Sequence, residues 1–411
     1  MPKNWKTYKL SDFADINPKV SLKQGNEYSF VEMKDLNPSQ KFVTTSIERE
    51  LKGGSKFKDG DTLFARITPC LENGKICQVK DLRDGLGFGS TEFLVFRGKE
   101  NVSDSDFVYY LTRSDSLRSN AIQMMTGTSG RQRVEKSALE ELEIVAPDLR
   151  NQSQIASILS SLDNKIELNL QMNQTLEAMA QAIFKEWFVD FKFPGSSKKL
   201  VNGLPKGWST EVFKNQFDVE RGLSYKGSGL AESGEGIPMH NLNSVYEGGG
   251  YKNEGIKYYS GEYKERHIVG PREIIVANTE QGHKHLLIGF PAVTPRYFGE
   301  EAIFSHHIYR VRPKSASYLT PQFIYYLLLQ PDVRDQIIGC TNGTTVNMLK
   351  IDGLQLPQFN LPVKDIVVKF SELMETIWQR KETNYLENQS LIQVRDSLLP
   401  KLMTGKIQVK A

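Results

Sequence analysis

The chain has 411 residues, of which 39% are hydrophobic and 25% are charged, and its formal net charge at pH 7 is +3. This length and composition allow two ordinary domain cores and exclude an intrinsically disordered chain. Three cysteines at irregular spacing argue against a disulfide framework and fit a reducing compartment. No apolar run approaches the roughly 18 residues of a membrane span, so the sequence predicts a cytoplasmic protein. The near-neutral charge neither predicts nor excludes a nucleic-acid ligand, because a basic stripe can lie on one face.

The second half of the chain repeats landmarks of the first half in the same order. Asn-Gln-Thr-Leu at 173–176 is matched by Asn-Gln-Ser-Leu at 388–391, and matched landmarks are separated by about 203 to 216 positions. The sequence therefore predicts two copies of one unit, each a globular domain followed by a long helix. Other matched pairs are Trp5 with Trp208, Met33 with Met239, Ala65 with Ala277, Ser90 with Ser305, Phe107 with Phe323, and Gly127 with Gly343.

Residues 1–150 alternate short apolar runs with turn signals, which predicts a sheet-rich first domain. From Ser153, a predicted N-cap, the apolar positions step alternately by four and three residues, as in the seam of a coiled coil. A first helical region is therefore assigned to residues 151–192. The apolar runs of the first domain lie at 62–67, 74–79, 93–97 and 142–145, with a short helix predicted at 104–111.

A segment rich in glycine and proline then interrupts the helix, and residues 193–203 are assigned as a linker. A second sheet-rich domain is predicted for residues 204–361, and a second helical region for residues 362–411. The first seam consists of Ile155, Leu159, Leu162, Ile166, Asn169, Asn173, Leu176, Ala180, Ile183 and Trp187. The second consists of Phe370, Met374, Ile377, Lys381, Asn384, Asn388, Leu391, Arg395, Leu398 and Leu402.

Two asparagines interrupt the centre of each predicted seam, Asn169 with Asn173 and Asn384 with Asn388. A buried asparagine destabilises a helix pair unless its amide finds a partner, and it commonly fixes the register of the helices. Antiparallel pairing would let the two polar centres meet. The alternative is that these amides face solvent.

The predicted fold is α+β, with two sheet-rich domains separated by two long helices that form an antiparallel coiled coil. A helix of about 35 residues spans roughly 50 Å, so the pair would hold one domain at each end, related by a pseudo-twofold axis. Two readers held apart suit a DNA site with two specified tracts and an unread spacer.

Over its whole length the sequence resembles the specificity subunit of type I restriction-modification systems. Its most specific stretches are LEAMAQAIFKEWFVDF at 176–191 and LLPKLMTGKIQV at 398–409. The resemblance implies two target-recognition domains, a bipartite DNA site, and a subunit without catalytic residues or a cofactor of its own. It also implies three kinds of partner: double-stranded DNA, two adenine-N6 methyltransferase subunits that bind S-adenosylmethionine, and restriction (translocase) subunits that use ATP and Mg²⁺.

Motifs for catalysis are missing from the sequence or lack their structural context. A methyltransferase needs a glycine-rich loop that leads into a helix, whereas the run from Gly85 to Gly89 leads into a predicted strand. Asp163 and Lys165 match part of a nuclease motif, but both are predicted to face solvent, outside the seam. The alternative functions are a module detached from a fused restriction-methylation enzyme and a coiled-coil adaptor that binds only protein.

All the histidines lie in the second globular domain. His283 with His285, and His306 with His307, are interpreted as strand-like pairs, and adjacent residues of a strand point to opposite faces. Ligand spacing for a metal is missing, so contact with DNA or a place on the surface is favoured over a metal site. The histidines are His240, His267, His283, His285, His306 and His307.

Base-reading residues should be polar side chains with flexible tips on a rigid sheet. The loop 127–134 is the strongest candidate, because two arginines flank a glutamine there. The alternative for each candidate is a solvated charged face. The first domain contributes Arg66, Thr68, Lys75, Ser90, Thr91, Arg131, Gln132 and Arg133. The second contributes Arg221, Tyr225, Lys226, Asn278, Gln281, Lys284, His306 and His307.

Candidates that differ between the two copies are better suited to distinguishing two half-sites than those that are shared. Arg66 is matched by Asn278, and Thr91 is matched by His306. Ser90, by contrast, is matched by a serine and can belong to shared architecture.

An aromatic cluster ends the first predicted helix and exceeds what the seam alone requires. Two roles remain open for it: packing against the adjoining globular domain, or receiving a methyltransferase subunit. Its members are Phe184, Trp187, Phe188 and Phe191.

Overall fold

The structure is a computed structural model that describes residues 4–128, 130–196, 200–282, 284–343 and 346–409. The chain divides into two compact units. Unit 1 comprises residues 1–172 together with 383–411, and unit 2 comprises residues 173–382. Each unit combines β-sheets, short helices and a stretch of both long helices, so the predicted α+β class is confirmed.

The elements from the N-terminus to the first long helix follow the predicted apolar runs closely. The strands are β1 (Trp5–Lys9), β2 (Ala14–Ile16), β3 (Glu27–Val31), β4 (Phe42–Val43), β5 (Glu48–Glu50), β6 (Ser55–Lys58), β7 (Thr62–Ala65), β8 (Ile76–Val79), β9 (Leu86–Gly89), β10 (Phe93–Gly98) and β11 (Glu143–Pro147). The helices are α1 (Leu10–Phe13), α2 (Ser105–Arg113), α3 (Asp115–Gln123), α4 (Lys136–Glu140) and α5 (Leu149–Phe184), which continues as a π-helical turn (Lys185–Val189).

In unit 1, β2-β10-β7-β8-β4 form one sheet and β5-β3-β9-β6 form another, while β1 pairs with β11. The glycine run is packed inside the second sheet. A Cβ atom on Gly89 would lie 2.4 Å from the carbonyl oxygen of Val31 on the neighbouring strand. This glycine therefore permits close strand packing, and the prediction of a strand in place of a phosphate-binding loop is confirmed.

The remaining elements follow the first long helix, and β12 lies within the segment that the sequence assigned as a linker. The strands are β12 (Leu200–Val201), β13 (Leu204–Pro205), β14 (Ser209–Val212), β15 (Phe217–Arg221), β16 (Leu230–Ala231), β17 (Ile237–His240), β18 (Lys257–Tyr259), β19 (Ile268–Val269), β20 (Ile274–Ala277), β21 (Thr279–Gln281), β22 (Pro291–Val293), β23 (Ala302–Phe304), β24 (Ile308–Pro313), β25 (Thr341–Asn342), β26 (Val346–Leu349) and β27 (Gln358–Leu361). The helices are α6 (Phe213–Gln216), α7 (Pro321–Leu328), α8 (Pro331–Ile338), α9 (Ile351–Gln355) and α10 (Lys364–Met403).

The internal repeat predicted from the sequence is present in the topology of each unit. The order β15-β24-β20-β22 in unit 2 repeats β2-β10-β7-β8 in unit 1, and β14 with β27 repeats β1 with β11. Helices α7 and α8 follow β24 as α2 and α3 follow β10. The Gly-Thr landmark of the second copy ends at Thr344, which lies outside the described residues.

Each unit packs its sheets and short helices against the long helices. In unit 1 the buried core joins Phe107 of α2 to Leu159 of α5 and Leu402 of α10. In unit 2 the aromatic cluster is part of the core: Phe188 lies 4.9 Å from Phe323 and 5.1 Å from Phe370, measured between ring centroids. The packing role proposed for that cluster is therefore confirmed. No helix within the described ranges has the length and hydrophobicity of a membrane span.

The first long helix begins earlier than the sequence predicts. Helix α5 starts at Leu149, and the Asp148 carboxylate accepts a hydrogen bond from the backbone N–H of Asn151 at 2.9 Å. The predicted N-cap, Ser153, lies inside the helix and donates its hydroxyl to Asp104. The prediction for Ser153 was wrong because Asp148, an equally good capping residue, precedes it by one turn.

Within unit 1, α5 and α10 pair antiparallel through a buried polar layer. The Asn169 amide donates to the Asn388 side-chain oxygen at 2.8 Å, and the Asn388 amide donates to the Ile166 carbonyl at 3.2 Å. Asn169 and Asn384 are fully buried, and Asn388 is 4% exposed, so the solvent-facing alternative is wrong for these three. In unit 2 the half-buried Asn173 donates to the Lys381 carbonyl of α10.

The prediction that Asp163 faces solvent was also wrong. Its carboxylate accepts hydrogen bonds from the Tyr110 hydroxyl at 2.6 Å and from Arg395 Nη1 at 2.7 Å. The side chains of Asp163 and Arg395 are 1% and 2% exposed. Lys165 bonds to the Asn169 amide oxygen and pairs with Glu387 of α10. This environment neutralises the Asp163 carboxylate within the helix pair, so the partial nuclease motif is explained by packing.

We expect the amides of the polar layer to be energetically coupled. Asn169→Leu removes a donor from the buried Asn388 oxygen and should lower the free energy of unfolding by about 1 to 3 kcal/mol. The double variant Asn169→Leu/Asn388→Leu should lose clearly less than the sum of the two single changes, because neither amide is then left with a vacant partner. Urea unfolding of the full chain measures all three. Strictly additive losses would contradict the coupling, and Gln171→Leu on the exposed side of α5 is the control.

The Arg395 charge should be required for unit 1 to remain folded. Arg395→Met leaves the buried Asp163 carboxylate without its counter-ion and should cost about 3 to 5 kcal/mol. Asp396→Asn is the control, because Asp396 is the half-exposed partner of the same guanidinium and its loss should cost less than about 1 kcal/mol. Thermal or urea unfolding measures both, and equal losses in the two variants would contradict a special role for the buried pair.

Candidate nucleic-acid interface

Most candidate readers of unit 1 converge on one sheet edge, which we call edge 1 and define as residues 66–68, 90–92 and 131–135. Three backbone hydrogen bonds join its segments. The N–H of Arg66 donates to the carbonyl of Glu92, the N–H of Thr68 to that of Gln132, and the N–H of Val134 to that of Arg66, each at 3.0 Å. The main chain therefore brings together segments that are far apart in the sequence.

Two glutamates organise the arginines of edge 1. Arg133 forms a fork with Glu92: its Nε lies 3.0 and 2.9 Å from the two carboxylate oxygens, and its Nη2 lies 2.6 Å from one of them. Arg66, whose side chain is 19% exposed, donates through Nη2 to Glu135 at 2.8 Å. Sequence reasoning missed both glutamates because it searched for donors to bases. The sequence signal that could have revealed them is that the second copy of the repeat carries a different residue at the position of each glutamate.

The other candidates of unit 1 fall into two groups. Arg131 and Thr91 are exposed on edge 1, where a ligand can reach them. Thr68 is 9% exposed and its hydroxyl accepts the N–H of Gln132 at 3.1 Å, so it holds the loop in place. Similarly, the Ser90 hydroxyl accepts the N–H of Glu92. Lys75 lies outside edge 1, and its ammonium donates to the Met33 carbonyl at 2.7 Å.

Unit 2 builds an equivalent edge on the same backbone pattern. We call it edge 2 and define it as residues 278–281, 305–307 and 346–350. The N–H of Asn278 donates to the His307 carbonyl at 3.1 Å, and the N–H of Leu349 donates to the Asn278 carbonyl at 2.9 Å. These bonds repeat those of Arg66 with Glu92 and of Val134 with Arg66. The two edges therefore share a main-chain frame and carry different side chains.

The adjacent histidines of edge 2 lie side by side, which corrects the prediction that they point to opposite faces of a strand. His306 and His307 occupy the turn between β23 and β24, and their ring centroids are 3.9 Å apart. The Asn278 amide, 3% exposed, donates to the His306 carbonyl at 3.0 Å and holds this turn. Desolvation, followed by the charges of His306, Arg221 and Lys257, lowers the pKa of His307 below its ordinary value, which favours a neutral imidazole.

A loop next to edge 2 carries three further candidates. The N–H of His306 donates to the Leu223 carbonyl at 2.9 Å, which fixes the loop that runs from Arg221 to Lys226. Within it, the Tyr225 hydroxyl accepts from Lys257 at 3.2 Å, and the Arg221 and Lys226 side chains are exposed. Two more candidates of unit 2, Gln281 at the end of β21 and Lys284, are also exposed.

The remaining histidines have structural surroundings. His240 is 1% exposed, its Nδ1 lies 2.8 Å from the Tyr251 hydroxyl, and burial lowers its pKa to about 3. His267 accepts the N–H of Lys264. His285 lies outside the strands, which corrects its strand assignment, and its carbonyl accepts from Arg334; His283 lies outside the described residues. In the described part of the chain, no group of three or more histidine, cysteine, aspartate or glutamate side chains could hold a metal ion.

Comparison with known proteins finds one matching family model and several similar full-length proteins. Residues 2–178 match the family model described as "Type I restriction modification DNA specificity domain". The chain is similar to the type I restriction enzyme HindI specificity subunit of Haemophilus influenzae, with 23% identity over 98% of this chain and 100% of that protein. It is also similar to the MjaIX specificity subunit of Methanocaldococcus jannaschii, with 24% identity over 100% of this chain and 95% of that protein.

A solved structure has the same fold. The type I restriction-modification system S subunit from M. genitalium aligns with a TM-score of 0.54 and 15% sequence identity, over 97% of this chain and 96% of that chain. The sequence matches extend over both units, and the fold match extends over nearly the whole chain. Residues 2–178 thus match a type I specificity domain, and nearly the whole chain is similar to type I restriction-modification specificity subunits.

Proposed function

We propose that the chain recognises a bipartite DNA site, with edge 1 reading one base tract, edge 2 reading a second tract, and an unspecified spacer between them. As a specificity subunit, the chain is a non-catalytic component that serves DNA target recognition. The finer assignment rests on one observation: the two edges repeat the same backbone hydrogen bonds and carry different polar side chains. Shared geometry with divergent side chains suits two readers of different sequences.

The donors and acceptors on the two edges match the chemistry of base edges in the major groove. Arginine suits guanine, whereas amides and neutral imidazoles can both donate and accept. On edge 1 we assign this role to Arg66, Thr91, Arg131, Gln132 and Arg133. On edge 2 and its neighbouring loop we assign it to Arg221, Tyr225, Lys226, Gln281, Lys284, His306 and His307.

We further propose that residues 1–150 and 204–361 are the target-recognition domains and that the two long helices scaffold partner subunits. Two adenine-N6 methyltransferase subunits would supply S-adenosylmethionine, and restriction subunits would supply ATP hydrolysis with Mg²⁺. The chain itself would bind neither cofactor and would act in the cytoplasm, where it meets chromosomal DNA. The family assembles with modification and restriction subunits and binds DNA, which supports this assignment.

Co-expression of the full chain with its adenine methyltransferase partner in a methylation-free host tests the proposal. Genome-wide detection of N6-methyladenine should find one bipartite motif, and duplex binding should require the partner. Methylation of a single continuous motif would contradict two readers. Methylation by the chain alone would support the detached-enzyme alternative, and partner binding without DNA binding would support the adaptor alternative.

Arg131→Ala should weaken the complex for one half-site only. Arg131 is exposed on edge 1, so a lost base contact should cost about 1 to 3 kcal/mol of binding and relax the sequence requirement at one position. Titration with duplexes that vary in one tract at a time measures this. Arg150→Ala, an equal change of charge at an exposed site in the first turn of α5, is the control. Equal loss on all duplexes would make Arg131 a phosphate contact.

A further inference from the structure

Unit 1 contains two kinds of arginine-carboxylate fork, and the repeat distinguishes them. The Arg97 guanidinium bonds both carboxylate oxygens of Asp61, at 2.6 and 2.7 Å. Unit 2 has the equivalent fork at the same place in its sheet, between Arg312 of β24 and Glu273 just before β20. A fork that occurs in both units belongs to the common frame.

The fork between Arg133 and Glu92 has no equivalent in unit 2. The pairing of Ile67 with Arg133 corresponds to the pairing of Thr279 with Met348, so Met348 occupies the position of Arg133. His307 occupies the position of Glu92, because its carbonyl accepts the corresponding backbone hydrogen bond. Unit 2 keeps the frame with a methionine and a histidine, so this ion pair is dispensable for the architecture.

Both ends of the Arg133–Glu92 fork are anchored by the main chain. The N–H and carbonyl of Arg133 exchange hydrogen bonds with Thr126, both at 2.9 Å. The N–H of Glu92 donates to the Ser90 hydroxyl at 3.1 Å, and its carbonyl accepts the N–H of Arg66. With both backbones fixed and both carboxylate oxygens engaged, the guanidinium has little rotational freedom.

Glu92 occupies only one side of the guanidinium. Nε and Nη2 face the carboxylate, whereas among the described residues Nη1 donates to the Arg131 carbonyl alone, at 3.3 Å. The Nη1–Nη2 side of the fork is thus left for a second planar acceptor pair, and the Arg133 side chain is 39% exposed. The O6 and N7 atoms of guanine form such an acceptor pair in the major groove.

The charge of the pair favours a base over a phosphate as its ligand. A lone exposed arginine attracts every phosphate and strengthens binding to all DNA sequences. Paired with Glu92, Arg133 forms a unit without net charge, which contributes little to that general attraction. A fixed, neutral donor fork can still discriminate between bases, and fixing it in advance lowers the entropy lost on binding.

We propose that Glu92 is a specificity-determining positioning residue that directs Arg133 to a guanine in the tract read by edge 1. The inference rests on the proposed function, since it presupposes that edge 1 faces DNA. Glu92 would act through Arg133 and would not itself contact the base.

The test uses the full chain with its adenine methyltransferase partner, in vivo and in duplex titrations. In the wild type, one position of the edge 1 tract should be guanine. Arg133→Ala and Arg133→Lys should each reduce the preference for that guanine roughly tenfold or more, since neither variant retains the fork. Glu92→Gln should relax the same position to a smaller extent and leave the second tract unchanged, while the salt dependence of binding becomes steeper because the Arg133 charge is no longer compensated.

Glu141→Gln is the matched control, because it makes the same change in an exposed ion pair of unit 1, with Lys9, and should leave the motif unaltered. An unchanged second tract shows that the variants are folded, and Arg133→Lys keeps the charge if Arg133→Ala fails to accumulate. Uniform weakening on all duplexes, or an unchanged guanine preference in Glu92→Gln, would overturn the inference. The absence of any bipartite motif in the wild type would instead overturn the proposed function.

Discussion

The buried contact between Arg395 and Asp163 ties the helix pair of unit 1 to its globular domain. Asp163 accepts from Arg395 on α10 and from Tyr110 on α2, and Arg395 also reaches the Ser39 carbonyl. Burial, reinforced by the Asp163 carboxylate, raises the pKa of the Tyr110 hydroxyl, which keeps it protonated as the donor. A buried charge is strongly destabilising without its counter-ion, so the pair holds four segments in one arrangement: α2, α5, α10 and the loop at Ser39.

The matching layer in unit 2 lacks this buried ion pair, and its tyrosine, Tyr326, donates at 3.5 Å to Glu177, which pairs with Lys381. The positions that match Asp163 and Arg395 in the repeat are Trp378 and Ala180, and the Trp378 indole donates to the hydroxyl of Tyr326, the counterpart of Tyr110. Both layers thus keep a tyrosine hydroxyl bonded to the long helix and fill the remaining space in different ways. If Asp163 faced a layer without an arginine, its buried carboxylate would lose its counter-ion. Each stretch of α5 is therefore suited to one stretch of α10.

These differences explain which features the sequence could predict. Periodicity predicted both long helices and most of the sheet, because it records where apolar side chains recur. It placed Asp163 in solvent because its partner, Arg395, lies too far along the chain for any local pattern to detect. Similarly, Thr68 and Asn278 have the chemistry of base readers, yet both bond to the main chain. Only the fold reveals whether a polar group has already found a partner.

Edges 1 and 2 have the same main-chain geometry but different side chains, because the hydrogen bonds common to both involve only main-chain atoms. Within each edge, the segments are joined by hydrogen bonds between main-chain N–H and carbonyl groups. Every residue except proline supplies both groups. Asn278 of edge 2 therefore occupies the position of Arg66, and His307 occupies the position of Glu92, with the same main-chain hydrogen bond in both edges. A frame of this kind places few demands on the side chains that it presents. Substitution at these positions can then change the exposed side chains while the folded core of each unit stays intact.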